Sequence, residues 1–171
     1  MKFTLPIVAL ASTFAACVGA ASTPVSNVTL SVDTENPAIT DKGLSDIHEG
    51  AALDFVFLGK DSAFYSFDRQ KKSIYKTVEI DEGKETVYWD LGLGQNVLTI
   101  GGAVEKAEFS AEQNDYLALN GSTEGFYAQK NLSYDPYGYS KKQYALTYYG
   151  KDSAPEGSIP VKVKLNYVAV A

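Results

Sequence analysis

From Val28 onward the chain alternates apolar and polar side chains with period two, and Gly, Asn, Asp or Pro breaks the pattern every few residues. Val28, Leu30 and Val32 alternate with Thr29, Ser31 and Asp33. Successive side chains of a strand point to opposite faces, so this pattern lets each short segment bury one face in a shared core. An amphipathic helix needs apolar positions three and four residues apart. No window of about a dozen residues meets that need, and residues 105–113 offer one helical turn at most.

Residues 53–58 are apolar almost throughout, as expected of a central strand buried on both faces. Further strands are expected at residues 63–67, 73–80, 86–91, 97–100, 104–109, 116–119, 126–129, 144–149 and 161–168. Turn residues separate them, among them Gly101-Gly102 and Asn120-Gly121. Asn-Gly takes the positive φ angles that a tight hairpin demands. Many short strands predict one all-β domain over residues 28–171, a compact antiparallel sandwich or closed barrel. A β-trefoil is the alternative, set second because no clean threefold repeat is visible. The 12 tyrosines and 8 phenylalanines suit pleated surfaces.

The start of the chain reads differently. Met1-Lys2 is positive, Leu5 to Ala16 is a short apolar stretch, and Val18-Gly19-Ala20 supplies small residues. That order predicts a secretory signal peptide over residues 1–20, cleaved after Ala20. A flexible lead-in is expected over residues 21–27. Cys17, the single cysteine, would leave with the leader, so the mature protein is expected to fold without disulfides. Loss of Lys2 takes the formal net charge from −6 to −7. An acidic surface argues against nucleic acid or anionic membrane as partner. The pairs Lys71-Lys72 and Lys141-Lys142 are too short for a basic tract and read as solvated loop charges, with dibasic processing as the other reading. At the C-terminus, Lys162, Lys164 and Asn166 interrupt the apolar residues, so a final strand is expected there and a membrane anchor is not.

Chemistry-bearing motifs are few. Asn27-Val-Thr29, Asn120-Gly-Ser122 and Asn131-Leu-Ser133 are N-glycosylation sequons, which matter in a secreted chain. His48, the only histidine, stands beside Glu49, but neighbours on an extended chain face opposite ways and do not form an acid/base pair. Asp90 beside Trp89 is the best carboxylate for glycoside hydrolysis, and nothing selects a second one. No catalytic residue, metal site or cofactor is therefore expected. Residues 131–142 carry Tyr, Pro and Gly without a strand pattern and read as an exposed loop. Sugar rings stack on exposed aromatic faces, which makes Trp89, Tyr137, Tyr139 and Tyr148 the candidate glycan contacts.

Three stretches carry a family resemblance. They are Ile47-His48-Glu49-Gly50-Ala51 with Phe55-Val56-Phe57-Leu58-Gly59, Tyr116-Leu117-Ala118-Leu119-Asn120-Gly121-Ser122 with Gly125-Phe126-Tyr127-Ala128, and Asp135-Pro136-Tyr137-Gly138-Tyr139-Ser140. The chain resembles the small cell-wall mannoproteins of budding yeasts and Candida-type fungi, including the family described as repressed during hyphal development, from about Val28 to Tyr167. The resemblance implies a non-enzymatic glycoprotein of the wall or the medium. Many members end in a Ser/Thr-rich stalk and a glycolipid signal, and this sequence departs from them in both. Release into the medium or loose wall association is thus the expectation. The functional expectations are a structural or surface glycoprotein first, then a lectin-like module for wall or host polysaccharide such as glucan, chitin or mannan. A small hydrolase or hydrolase inhibitor comes last.

Overall fold

A computed structural model describes residues 24–169; the expected signal peptide, Cys17 and the cleavage point at Ala20 lie outside them. The described chain is all-β. Its strands are β1 (Val25–Asp33), β2 (Gly43–His48), β3 (Leu53–Gly59), β4 (Phe64–Asp68), β5 (Ser73–Ile80), β6 (Glu85–Gly94), β7 (Val97–Gly101), β8 (Phe109–Ala111), β9 (Leu117–Leu119), β10 (Phe126–Gln129), β11 (Ala145–Tyr148) and β12 (Ile159–Tyr167).

Every named strand pairing is antiparallel, and the sheet closes on itself as a barrel. A hydrogen-bonded circuit runs β1–β4–β5–β6–β7–β3–β11–β10–β12 and back to β1. The same network has threefold character. The hairpins β2–β3, β6–β7 and β10–β11 meet where their second strands, β3, β7 and β11, pair with one another. The other six strands follow in a ring: β1 on β4, β4 on β5, β8 on β9 and β12 on β1. The ring is completed where Phe109 N–H donates to Lys72 O and where Tyr116 bridges Lys164. This is β-trefoil connectivity. The closed barrel expected from the sequence and the trefoil alternative describe one structure, whose threefold pattern lies in the pairing and not in repeated residues.

The six ring strands fill the main core with Val28, Leu30 and Val32, Tyr65 and Phe67, Ile74, Phe109, Leu117 and Leu119, and Val161, Val163 and Leu165. Each fully buried aliphatic or aromatic side chain contributes about 1.5–3 kcal/mol. β3 is buried on both faces, as its apolar run predicts. Val56 and Leu58 enter the main core, while Phe55 and Phe57 join Val97 and Ala145 in a second cluster on the other side.

The structure corrects the sequence reading in four places. β1 starts at Val25, inside the expected lead-in, because Val25 and Ser26 pair with Asp68 and Phe67. β2 was not expected at all: Leu44 faces the core, but Asp46 and the exposed His48 follow it on the same side, and two polar residues there erase the alternation. The strand expected at residues 104–109 begins only at Phe109, since the segment before it crosses over Gly92 through the Gly92–Lys106 bridge. The short helical turn falls at Gln113–Asp115, later than expected. Beyond the barrel wall, β5 and β6 continue as a ribbon in which Thr77 to Ile80 pair only with Glu85 to Tyr88, leaving Ile80 and Tyr88 exposed.

Two local features hold the turns. Asn120 and Gly121 take φ of 53° and 77°, the double positive that a two-residue hairpin turn needs, between bridged Leu119 and Ser122. At Gly92 a Cβ would fall inside contact distance of the Glu105 carbonyl oxygen and Val104 Cγ1. Gly92→Ala is therefore expected to cost about 2–3 kcal/mol by forcing backbone apart, seen as a lower urea midpoint. An unchanged midpoint would show that the crossing segment yields freely.

Candidate functional site

The loop of residues 131–142 joins β10 to β11 and lies over the outer face of β3. Its placement follows from the second core cluster, whose phenylalanines need cover. Leu132 packs into that cluster, and Tyr134 meets Phe55 edge-on with ring centroids 6.5 Å apart. Tyr139 meets Phe57 in the same way at 6.2 Å. Asp135 braces the loop from inside: its carboxylate accepts the amides of Tyr139 at 3.1 Å and Ser140 at 2.7 Å, and the Ser140 hydroxyl at 2.5 Å. Burial alone would raise the Asp135 pKa, but these bonds from Ser140 and the amides of Tyr139 and Gly138 outweigh it and hold it below the usual carboxylate value. Gly138, at φ 72°, turns the chain into the 3-10 segment Tyr139–Lys141.

This bracing sets an aromatic face in place. Tyr137 is 61% exposed, Tyr134 53% and Tyr139 37%. The rings of Tyr137 and Tyr139 stand 6.1 Å apart, tilted by 48°. Beneath them lies the turn after β2. Glu49 is only 5% exposed there. Its Oε2 accepts the Tyr137 amide at 3.4 Å, and its Oε1 has no partner. Burial raises the Glu49 pKa; the Tyr137 amide opposes this, nearby Asp135 adds to it, and His48 opposes it. Gly50, at φ 92°, lies beside the hydroxyl end of Tyr137. The His48-Glu49-Gly50 turn and the tyrosine loop, far apart in the sequence, thus form one site.

Not all of the expected contacts belong to it. Tyr148 does not: it is 9% exposed, stacks on Phe126 at 4.9 Å and donates its hydroxyl to Leu119 O, so it is core. Trp89 is half-buried on β6 against the main core, with its indole beside Gly102, and makes none of the ring contacts that join the loop tyrosines. Tyr137 and Tyr139 come together as a platform, and Tyr134, which the sequence reading passed over, sits on the same loop. Its one signal was its place in a Tyr-rich loop beside a strand of alternating phenylalanines. Asn27, Asn120 and Asn131 are all exposed. Lys106 ties up Asp90 at 2.9 Å.

His48 pairs across the β2–β3 ladder with Asp54, Nδ1 to Oδ1 at 2.9 Å, and not with Glu49. This belongs to a polar network at the barrel mouth that sequence reasoning missed. Asp46 accepts Lys76 Nζ at 2.5 Å and the Tyr65 hydroxyl at 3.2 Å. Burial raises the Asp54 pKa, His48 opposes that, and Asp46 adds to it. Tyr65 is raised well above its usual value by burial and by Asp46. Elsewhere a groove of about 830 Å³ runs beside β10 and β12. Two polar pairs line it: Tyr116 donates to Asp33, and Lys162 bonds Glu124 at 3.0 Å.

With fold and site in view, comparison with known proteins is informative. Three Candida albicans proteins match over most of this chain. Cell wall protein PGA31 is 32% identical over 81% of the chain, cell wall protein RHD3 33% over 86%, and cell wall protein PGA30 28% over 84%. The chain belongs to this family of fungal cell-wall proteins. It spans 45%, 66% and 49% of the length of those relatives. No protein-family model and no solved structure matches it.

The network at the barrel mouth has a measurable stake in stability. Asp46→Ala leaves the Lys76 ammonium and the buried Tyr65 hydroxyl without their acceptor, at an expected cost of about 2–3 kcal/mol. The urea midpoint should fall while its slope stays the same. Wild-type stability in the variant would show that the network is dispensable.

Proposed function

We propose that this protein is a non-enzymatic glycoprotein of the fungal cell surface, in the wall or released beside it, and that its tyrosine loop binds wall polysaccharide. The observation that carries the reading is the exposed Tyr137–Tyr139 pair, held by Asp135 on a loop that the second core cluster fixes in place. Sugar rings present C–H faces that stack on such rings, while nearby hydroxyls and amides take the sugar's polar edges. A loop already ordered spends little conformational entropy on binding. The names of the relatives as cell-wall proteins support the location, and glucan, chitin and mannan suit a site built on exposed aromatic rings.

The three exposed sequons complete the picture. Glycans on Asn27, Asn120 and Asn131 add hydration and shield strand edges. Enzymatic removal of N-glycans is expected to lower the mass of the secreted protein in steps, and Asn→Gln at each position should delete one step. An unchanged mass would mean the sequons are empty.

Purified protein incubated with insoluble β-glucan, chitin or mannan is expected to show saturable retention on at least one after a salt wash. Tyr137→Ala should weaken that retention by about 5–150-fold, equivalent to about 1–3 kcal/mol. Phe64→Ala, which removes an exposed ring on β4, should leave it unchanged and so controls for simple stickiness. No retention on any polymer would remove the polysaccharide reading and leave a released surface glycoprotein.

A further inference from the structure

We propose that Glu49 is a proton-operated latch that holds the tyrosine loop closed against the turn after β2. Glu49 occupies an unusual position for a carboxylate. Glu49 is almost wholly buried, one of its oxygens has no partner, and the other has only the Tyr137 amide at 3.4 Å. Buried polar groups are nearly always satisfied, because an unpaired one costs about 1–3 kcal/mol and an unpaired charge costs more. The side chain is nonetheless kept there by the loop that closes over it.

The groups facing Glu49 explain how a proton would act. From the loop come the Tyr137 amide, the Tyr137 hydroxyl end beside Gly50, and the Asp135 carboxylate. From its own segment comes His48, which is held away by Asp54 at 2.9 Å. Asp135 is fully engaged with Ser140 and Tyr139 and keeps its charge, so it repels an ionised Glu49. A protonated Glu49 removes that repulsion and the cost of burying a charge, and it leaves a neutral carboxyl beside the Tyr137 amide.

The sign follows from linkage. With the loop closed, burial raises the Glu49 pKa; with the loop open, the carboxylate is solvated and ordinary. The closed loop therefore binds the proton more tightly, and falling pH favours closure. Each unit of difference between the two states shifts the loop equilibrium about tenfold. Glu49 does not touch ligand in this scheme. It is a positioning residue that acts through Tyr137, so acid would favour the closed arrangement of the platform described above. The loop claim stands by itself, and its consequence for affinity rests on the polysaccharide reading above.

Nuclear magnetic resonance of the full folded protein, without ligand, tests the latch directly. Between about pH 3 and 7 the Glu49 carboxyl carbon should titrate above the usual glutamate range, and the Tyr137 and Tyr139 amide signals should follow the same midpoint. Glu49→Gln, a neutral isostere, should keep those amides in their low-pH positions throughout. Glu49→Ala, which also removes the charge, should likewise abolish the pH response of those amides. The proposal is overturned if Glu49 titrates while the Tyr137 amide stays still, or if Glu49→Gln keeps the full pH response. Pelleting with β-glucan at both ends of the range then separates the two readings. Retention stronger in acid for wild type, and flat across the range for Glu49→Gln, supports both. A responsive loop with no retention at any pH upholds the latch and rejects polysaccharide binding.

Discussion

The double-sided burial of β3 governs the rest of this molecule. A strand that carries Val56 and Leu58 into the barrel core and Phe55 and Phe57 away from it cannot sit in a one-layer wall. Its outer face needs a cover, and the connection between β10 and β11 supplies it. That connection is consequently long, aromatic and fixed, with Tyr134 and Tyr139 turned edge-on to the two phenylalanines. Packing thus determines where the exposed Tyr137 stands, and the surface chemistry of the loop is a by-product of closing the second core.

Much of this architecture was legible in the sequence, and the failures share a cause. β3, β5 and β10 were visible because their apolar or alternating residues obey a single rule over the whole strand. β2 was not, because the side of the strand that carries Leu44 continues with Asp46 and the exposed His48, which Lys76, Tyr65 and Asp54 satisfy at the barrel mouth. Long-range pairing of that kind leaves no local trace. The same limit explains the candidate contacts. Tyr137 and Tyr139 share one loop, so their association could be read from their spacing. Tyr148 differs from them only in lying on a strand whose face turns inward. Glu49 was dismissed together with His48 for the sound reason that adjacent residues diverge. Its real neighbour, the loop some ninety positions on, could not be seen.

The barrel also shows how a small domain manages without cysteine among its described residues. Cross-linking normally limits the unfolded chain. Here the ends of the barrel are tied by sheet instead: β1 pairs over its first half with β4 and over most of its length with β12. Side-chain networks reinforce the mouth, where charge is paired and half-shielded from water. The threefold hairpin junction adds mutual pairing among β3, β7 and β11, so the structure does not depend on any one edge.

The pairing of β1 with β12 sets a schedule for the living chain. Val28 through Asp33 align with Tyr167 back through Lys162, so the first strand made is zipped to the last. Synthesis proceeds at about 5–20 residues per second, and the first strand waits roughly ten seconds for its partner. During that interval an amphipathic strand with unpaired edges is exposed. Closure is a final event that needs the whole barrel sequence to be clear of the machinery that makes it, so each nascent chain depends on protection while it waits.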